Sequence, residues 1–186
     1  MKLTAIFTVS LILFSVIDII GSLPVIIDMK REGVKIKAGL ATVSAAIIMF
    51  AFLFFGAAIL HVFGIGVSSF ALAGSLIILF IGLEMILGIR IFRNLHEEGG
   101  SGSIVPIAFP LVAGAGTLTT IISLKAEYGY SSLIVGIVLN LIFIFIILKS
   151  SDWISGKMSP QVVGTLRKVF GILLIAIAIQ MFKENI

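Results

Sequence analysis

The sequence has no cysteine and very little charge. The absence of cysteine excludes disulfides, thiolate metal sites and a cysteine nucleophile. Charged residues make up only 12% of the 186 residues, whereas hydrophobic residues make up 60%. A typical soluble domain carries about 25% charged residues. Because so few charges cannot cover a water-exposed surface, the sequence predicts that lipid surrounds most of the chain.

Long apolar segments recur at lengths that suit a membrane. A helix needs about 20 apolar residues to cross the hydrocarbon core, so the charged residues predict the boundaries of six transmembrane helices. The predicted spans are 3–27, 38–60, 70–89, 103–124, 130–148 and 163–182. Residues 61–66 are the predicted reversal between the second and third spans. The first run lacks a small-residue cleavage pattern, so it is expected to be a span and not a cleaved signal. The predicted fold class is an all-α integral membrane protein.

Basic residues are concentrated at one end of the predicted spans. Ten of the thirteen Lys and Arg residues lie in the first, third and fifth loops or their flanks. The positive-inside rule makes these loops cytoplasmic. The sequence therefore predicts a multi-pass protein of the cytoplasmic membrane with both termini outside. The same rule explains the net charge, and no basic patch with interleaved aromatics indicates a nucleic-acid partner.

Two segments of the chain resemble each other at an offset of 95 residues. Residues 14–27, FSVIDIIGSLPVII, align with residues 109–122, FPLVAGAGTLTTII, so that Ala113 occupies the position of Asp18. Residues 81–86 align with 177–182 at an offset of 96, which pairs Glu84 with Gln180. A copy of a three-helix unit enters the membrane upside down, as in many secondary transporters. We therefore expect one membrane domain, 1–186, of two inverted repeats at about 1–93 and 103–186.

Helix-breaking residues occur in both aligned segments. The interruptions are Gly21 and Pro24 in span one, and Pro106, Pro110, Gly114 and Gly116 in span four. Transporters built from inverted repeats bind their substrates at such interrupted helices near the membrane midplane. The sequence predicts that spans one and four are kinked around residues 21–24 and 114–117, and that the two kinks face each other.

A candidate substrate site combines residues from both interruptions. Its members are Asp18, Gly21, Ser22, Pro24, Gly114, Gly116, Thr117 and Thr120. Asp18 is the only acid in the middle of a predicted span, where a charge costs at least ~2.5–3.5 kcal/mol. It is a candidate partner for a proton, a cation or a substrate ammonium, and the alternative is a helix-capping acid. The glycines and threonines are candidates for binding a carboxylate at a helix start, and the alternative is close helix packing.

The remaining polar residues of the spans have structural interpretations. Glu84 is expected to reach the cytoplasmic face or to pair with Arg90 or Arg93, and Asn140 is expected to form an interhelical hydrogen bond. No nucleophile–base pair and no set of metal ligands is present, so we expect neither an enzyme nor a metal or organic cofactor. A coupling proton or Na⁺ stays open, as does assembly into a homo-oligomer.

Three motifs carry a family resemblance: ID-x-x-G-x-LP (17–24), FALAGSLIIL (70–79) and P-x-AFPL-x-AG-x-GT-x-TT (106–120). Together they resemble the MarC family of six-helix membrane proteins, also described as a neutral amino acid transporter family of prokaryotes. The resemblance implies two inverted three-helix repeats within the lysine-exporter-like superfamily. It also implies transport of small neutral amino acids such as glycine or alanine. This chain departs from the family pattern at Ile20, where the family has Pro or Ala, and at Ala115, where it often has Pro.

Three functions are therefore compatible with the sequence. The first is a secondary transporter for a small neutral amino acid, with or without ion coupling. The second is an uncoupled channel or exporter for a small solute, and the third is a membrane scaffold or sensor that transports nothing.

Overall fold

The computed structural model describes residues 3–31, 33–88, 103–157 and 159–186 of the chain. Within these ranges the regular secondary structure is helical. The helices are α1 (Leu3–Ile17), α2 (Ile19–Arg31), α3 (Ala38–Val62), α4 (Val67–Leu87), α5 (Ala115–Glu127), α6 (Tyr130–Lys157) and α7 (Pro160–Glu184). A kinked helical segment, Ser103–Val112, precedes α5.

These helices account for all six predicted spans. Four of them, α3, α4, α6 and α7, are each long and apolar enough to cross a membrane alone. The other two predicted spans correspond to bent pairs of helices: Leu3–Ile17 and Gly21–Arg31 meet at 46°, and segment Ser103–Val112 meets α5 at 49°. The predicted fold class is confirmed, with spans one and four as the two broken spans.

Helix ends agree with the predictions at some loops and not at others. The reversal between α3 and α4 occupies residues 63–66, where Gly64 takes a left-handed φ of 65° that a side chain disfavours. In contrast, α6 continues nine residues past its predicted end at residue 148. The prediction was wrong because charged residues mark the edge of the hydrocarbon and do not end a helix. Lys157 illustrates this, since its ammonium lies 4.0 Å from the ring centre of Trp153 on the same helix.

Close backbone contact joins α4 to α7. A Cβ atom added to Gly82 would lie 2.9 Å from the carbonyl oxygen of Gly171, and one added to Gly171 would lie 3.0 Å from that of Gly82. Small residues at membrane helix interfaces permit this approach. The same antiparallel register places Ser75 opposite Ala178, and both are buried. The third and sixth spans therefore form one tightly packed pair.

The two halves of the chain pack on each other reciprocally. In the first half α1 packs against α6, and in the second half the corresponding segment Ser103–Val112 packs against α3. Likewise α2 packs against α6 and α7, and the corresponding helix α5 packs against α3 and α4. Exchanging the halves maps these contacts onto one another, although the smaller contacts of α4 with segment Ser103–Val112 and of α5 with α6 have no counterpart of similar size. Such reciprocity is expected of a structural repeat, whereas the inversion of one half relative to the other stays a prediction.

Candidate functional site between two broken helices

The break in span one is at Asp18. Its φ of 41° is left-handed, which ends α1 at Ile17 and lets α2 begin at Ile19. This conformation costs most residues roughly 1–2 kcal/mol, but Asp and Asn tolerate it. The predicted position of the break, residues 21–24, was wrong: Gly21 and Pro24 lie inside α2. In this span Asp18 alone has a left-handed backbone conformation, and Pro24 lies within the helix that begins at the next residue.

Asp18 also caps α2. Its carboxylate Oδ1 accepts a hydrogen bond from the Gly21 N–H at 3.1 Å, which is the usual geometry of an N-cap. Its carbonyl oxygen accepts bonds from the N–H of Ser22 at 3.0 Å and from the Ser22 hydroxyl at 3.2 Å. The negative carboxylate thus lies at the positive end of the helix dipole. The structure shows the capping role that the sequence left open, and the role in ligand binding stays a prediction.

Gly21 is required by the position of this carboxylate. A Cβ atom added there would lie 2.2 Å from Asp18 Oδ2, well inside van der Waals contact. Ser22 is only 4% exposed, and Pro24 is buried in the same helix. The four predicted site residues of span one are therefore neighbours in the first turns of α2, although only Asp18 forms the break.

The break in span four has a different cause. Within segment Ser103–Val112, Val105 and Phe109 have extended backbone conformations, and each directly precedes a proline. Proline disfavours the helical region for the residue before it, because its Cδ clashes with that residue's backbone. Gly114 then caps the start of α5, where an added Cβ would lie 2.2 Å from the Pro110 carbonyl oxygen. This break aligns with Asp18 in the repeat, so the two interruptions occupy corresponding positions.

The threonines at the start of α5 bond to their own backbone. Thr117, which is buried, donates its hydroxyl to the Val112 carbonyl at 2.9 Å across the break. Thr119 and Thr120 both donate to the Gly116 carbonyl, at 3.0 and 2.7 Å. In this conformation their hydroxyl protons stabilise local structure.

Gly116 allows three helices to come together. A Cβ atom added to it would lie 3.2 Å from Met181 Cε on α7 and 3.6 Å from Val16 Cγ1 at the end of α1. This is the close-packing role that the sequence gave as an alternative. It also shows that the end of α1 lies directly beside the start of α5, so the two breaks are neighbours.

A cavity of about 40 Å³ lies between the two breaks. Its lining consists of Val16, Ile17, Asp18, Ser22, Ile78, Ile81, Pro110, Leu111, Leu174 and Ile177. Among the described residues of this lining, Asp18 and Ser22 are the polar side chains. The structure therefore brings Asp18 and Ser22 to the proline break of span four. The predicted residues Gly114, Gly116, Thr117 and Thr120 are close by but do not line the cavity.

The size of the cavity limits what it holds in this conformation. One water molecule occupies about 30 Å³ in the liquid, whereas pockets for small-molecule ligands measure roughly 300–1,000 Å³. The cavity has room for water or a small cation beside Asp18, but an amino acid needs it to widen. The apolar lining from α4 and α7 was missed from the sequence, because isoleucines and leucines inside a span look like any other packing residues.

The other polar residues behave as structural groups. The amide of Asn140 donates to the Ser10 carbonyl at 3.1 Å and to the Gly136 carbonyl at 2.9 Å, which confirms the predicted link between helices. Arg90 and Arg93 lie outside the described residues, and the Glu84 carbonyl accepts a bond from Arg167 at 3.4 Å. Among the residues that the structure describes, no three His, Asp or Glu side chains are grouped to hold a metal ion.

Comparison with known proteins gives one consistent family. Residues 3–186 match the family described as MarC family integral membrane protein. A UPF0056 membrane protein of Methanocaldococcus jannaschii is 30% identical over 94% of this chain and 92% of its own length. The UPF0056 membrane protein YhcE of Escherichia coli is 28% identical over 94% of this chain and 88% of its own. No solved structure matches the chain. Given a match from Leu3 to the last residue, the chain belongs to the MarC family of integral membrane proteins.

Proposed function

We propose that this protein is a secondary transporter that moves a small neutral amino acid, such as glycine or alanine, across the cytoplasmic membrane. One observation carries the proposal. Two helix breaks at aligned positions of a repeat meet at one cavity, and Asp18 is the one ionisable side chain among the described residues of its lining. Paired broken helices around a midplane site are typical of secondary transporters.

The charges around the cavity suit a zwitterion. The N-terminal ends of α2 and α5 both lie at the breaks, and each helix start carries roughly half a positive charge. Asp18 occupies the start of α2, whereas no side chain caps the start of α5. A substrate carboxylate is expected at α5, with the substrate ammonium beside Asp18. Leaving either charge unpaired in low dielectric would cost several kcal/mol.

Transport requires the cavity to change shape. At about 40 Å³ it cannot admit an amino acid without movement of the surrounding helices. The breaks at Asp18 and Gly114 divide their spans into shorter rods: both rods of span one pack against α6 and both rods of span four against α3, while α2 also packs against α7 and α5 against α4. Rotation about these two points would widen the cavity while most helix contacts are kept, as alternating access requires.

An uncoupled channel or exporter is the second candidate. It is favoured by the bond between the Asp18 carboxylate and the Gly21 N–H, because capping α2 gives this acid a structural purpose without any coupling ion. A scaffold or sensor that transports nothing is the third candidate.

Purified protein in liposomes separates the three functions. Radiolabelled glycine, alanine and larger neutral amino acids would be offered with an imposed proton gradient, with a Na⁺ gradient and with neither. The proposal predicts accumulation of a small amino acid above its external concentration in one gradient. Flux that only equalises concentrations would indicate the channel or exporter. No flux of any tested amino acid would contradict transport of this substrate class.

A further inference from the structure

Helices α1 and α5 lie side by side in opposite directions. Val16, at the end of α1, is beside Gly116, at the start of α5. At the other end of the pair, Thr4 and Thr8 share the lining of a vestibule of about 500 Å³ with Glu127. The interface between these two helices, named here the α1–α5 seam, therefore runs from the vestibule to the cavity beside Asp18.

The α1 side of the seam carries a polar stripe. Residues spaced by three and four positions share one face of a helix. On α1 that spacing selects Thr4, Thr8, Leu11, Ser15 and Asp18. Thr8 and Ser15 are exposed. The Thr8 hydroxyl donates to the Thr4 carbonyl at 2.9 Å, and Leu11 is the one apolar member of the stripe.

The α5 side of the seam carries a matching stripe. The same spacing starting from Gly116 selects Thr120, Ser123 and Glu127. The opposite face of α5, represented by Leu118, is buried in the protein core. Ser123 and Glu127 are exposed on the face that lies toward α1. Hydroxyl groups thus line both helices between the vestibule and the breaks.

Among the described residues, helix α7 runs beside only the first part of α5. Met181 of α7 lies at the same level as Gly116 of α5. Beyond this level, at 1.5 Å per residue, α5 continues for about 16 Å to its end, whereas α7 continues for about 5 Å. Lys183 and Glu184 at this end of α7 are exposed. The part of α5 beyond the level of Met181 is therefore not covered by the described residues of α7.

We infer that the α1–α5 seam is a water-filled access route that leads a small polar solute from the vestibule to the cavity beside Asp18, with Met181 as its inner gate. The identity of the solute rests on the proposed function, but the route does not. Met181 suits a gate because it lies against Gly116 next to Val16, which lines the cavity. Its unbranched thioether side chain adopts other rotamers easily.

Single cysteines test the route directly in this cysteine-free chain. Ser15→Cys and Ser123→Cys would be reacted with a charged, membrane-impermeant thiol reagent in proteoliposomes. Because only a thiolate in water reacts, both cysteines are expected to react at least tenfold faster than a matched lipid-facing control. Phe55→Cys is that control: Phe55 is 63% exposed, and its neighbour Phe54 accepts a bond from Lys125, which places it at the depth of Ser123. Equal, slow reaction of all three would overturn the route.

A second pair of variants tests the gate. Ser22→Cys places a thiol in the cavity lining, where reaction is expected to be slow. Adding Met181→Ala should raise its reaction rate about tenfold, whereas the volume-conserving Met181→Leu should leave it unchanged. Ile177→Cys, which also lines the cavity, repeats the test if Ser22→Cys elutes as an aggregate. No increase with Met181→Ala at either site would overturn the gate.

These labelling experiments use no substrate. Their outcome therefore does not depend on whether the proposed transport function is correct. Fast reaction at Ser15→Cys and Ser123→Cys without amino acid uptake would support the route and count against the substrate class. Uptake together with unreactive seam cysteines would remove the route and leave the proposed function standing.

Discussion

Asp18 combines a left-handed backbone with a capping carboxylate, and the two properties respond differently to mutation. Asparagine tolerates the left-handed region and caps helices about as well as aspartate. We predict that Asp18→Asn keeps the thermal stability of the wild type in detergent. Asp18→Ala should lose about 2 kcal/mol, from roughly 1 for the cap and at least 1 for the backbone. Similar losses in both variants would show that the charge itself, and not the cap, stabilises the break.

Gly21 is predicted to be intolerant of even one methyl group. Gly21→Ala places Cβ on the Asp18 carboxylate, so the cap must move away and the Gly21 N–H bond is lost. The expected loss of stability is about 1 kcal/mol, measured by thermal unfolding followed on size-exclusion chromatography. Gly39→Ala in α3 is the matched control: nothing lies within 4 Å of its added Cβ, and alanine favours a helix by roughly 0.5–1 kcal/mol. A stable Gly21→Ala protein would mean that the carboxylate does not rest over this turn.

At the scale of helices, the contact between α4 and α7 depends on two glycines. Gly82→Ala would press its Cβ against the Gly171 carbonyl and against Ile175 Cγ1, at 2.9 and 2.8 Å. Because backbone atoms of a packed helix cannot step aside, we expect a loss of about 1–3 kcal/mol, read from the melting temperature in detergent. Gly164→Ala on α7, which meets nothing within 4 Å, should not destabilise the protein. Equal effects of the two substitutions would contradict the close crossing.

The two breaks show what proline predicts and what it does not. In span four, Pro106 and Pro110 lie at the kinks, because the extended residues Val105 and Phe109 directly precede them. In span one, Pro24 lies within α2, and the helix is broken six residues earlier at Asp18. A proline in a helix interior removes one backbone hydrogen bond and usually kinks or breaks the helix, yet α2 continues through Pro24, its sixth residue. A left-handed aspartate leaves no comparable pattern in the sequence, so the position of that break could not be predicted.

At the scale of the whole molecule, membrane orientation is still a prediction from the distribution of basic residues. Gly156→Cys lies near the end of α6 on the predicted cytoplasmic side, and Ile186→Cys lies at the predicted outer end of the chain. Both sites are open: nothing lies within 4 Å of an added Cβ at Gly156, and Ile186 is 86% exposed. In intact cells an impermeant thiol reagent should label Ile186→Cys and spare Gly156→Cys. The reverse pattern would invert the orientation.

The sequence predicted the membrane spans of the protein better than it predicted the residues of the candidate site. Six spans and the two broken ones follow from hydrophobic length and from Gly and Pro content, which are properties of local sequence. The cavity lining does not follow, because Leu174 and Ile177 look like any other apolar residues until helix packing places them beside Asp18. The hydroxyl groups of Thr117 and Thr120 were correctly placed near a break. Their bonds to backbone carbonyls depend on rotamers that the sequence does not show.

Asp18 is central to the account, because it caps α2 and is the one ionisable side chain that lines the cavity in the described part of the chain. The most direct test is gradient-driven amino acid uptake by Asp18→Asn in proteoliposomes, beside the wild type at equal protein content. Since asparagine preserves the cap, the variant should insert and elute as the wild type does, yet it should not accumulate the amino acid above its external concentration. Accumulation equal to that of the wild type would contradict the account and reduce Asp18 to a helix cap.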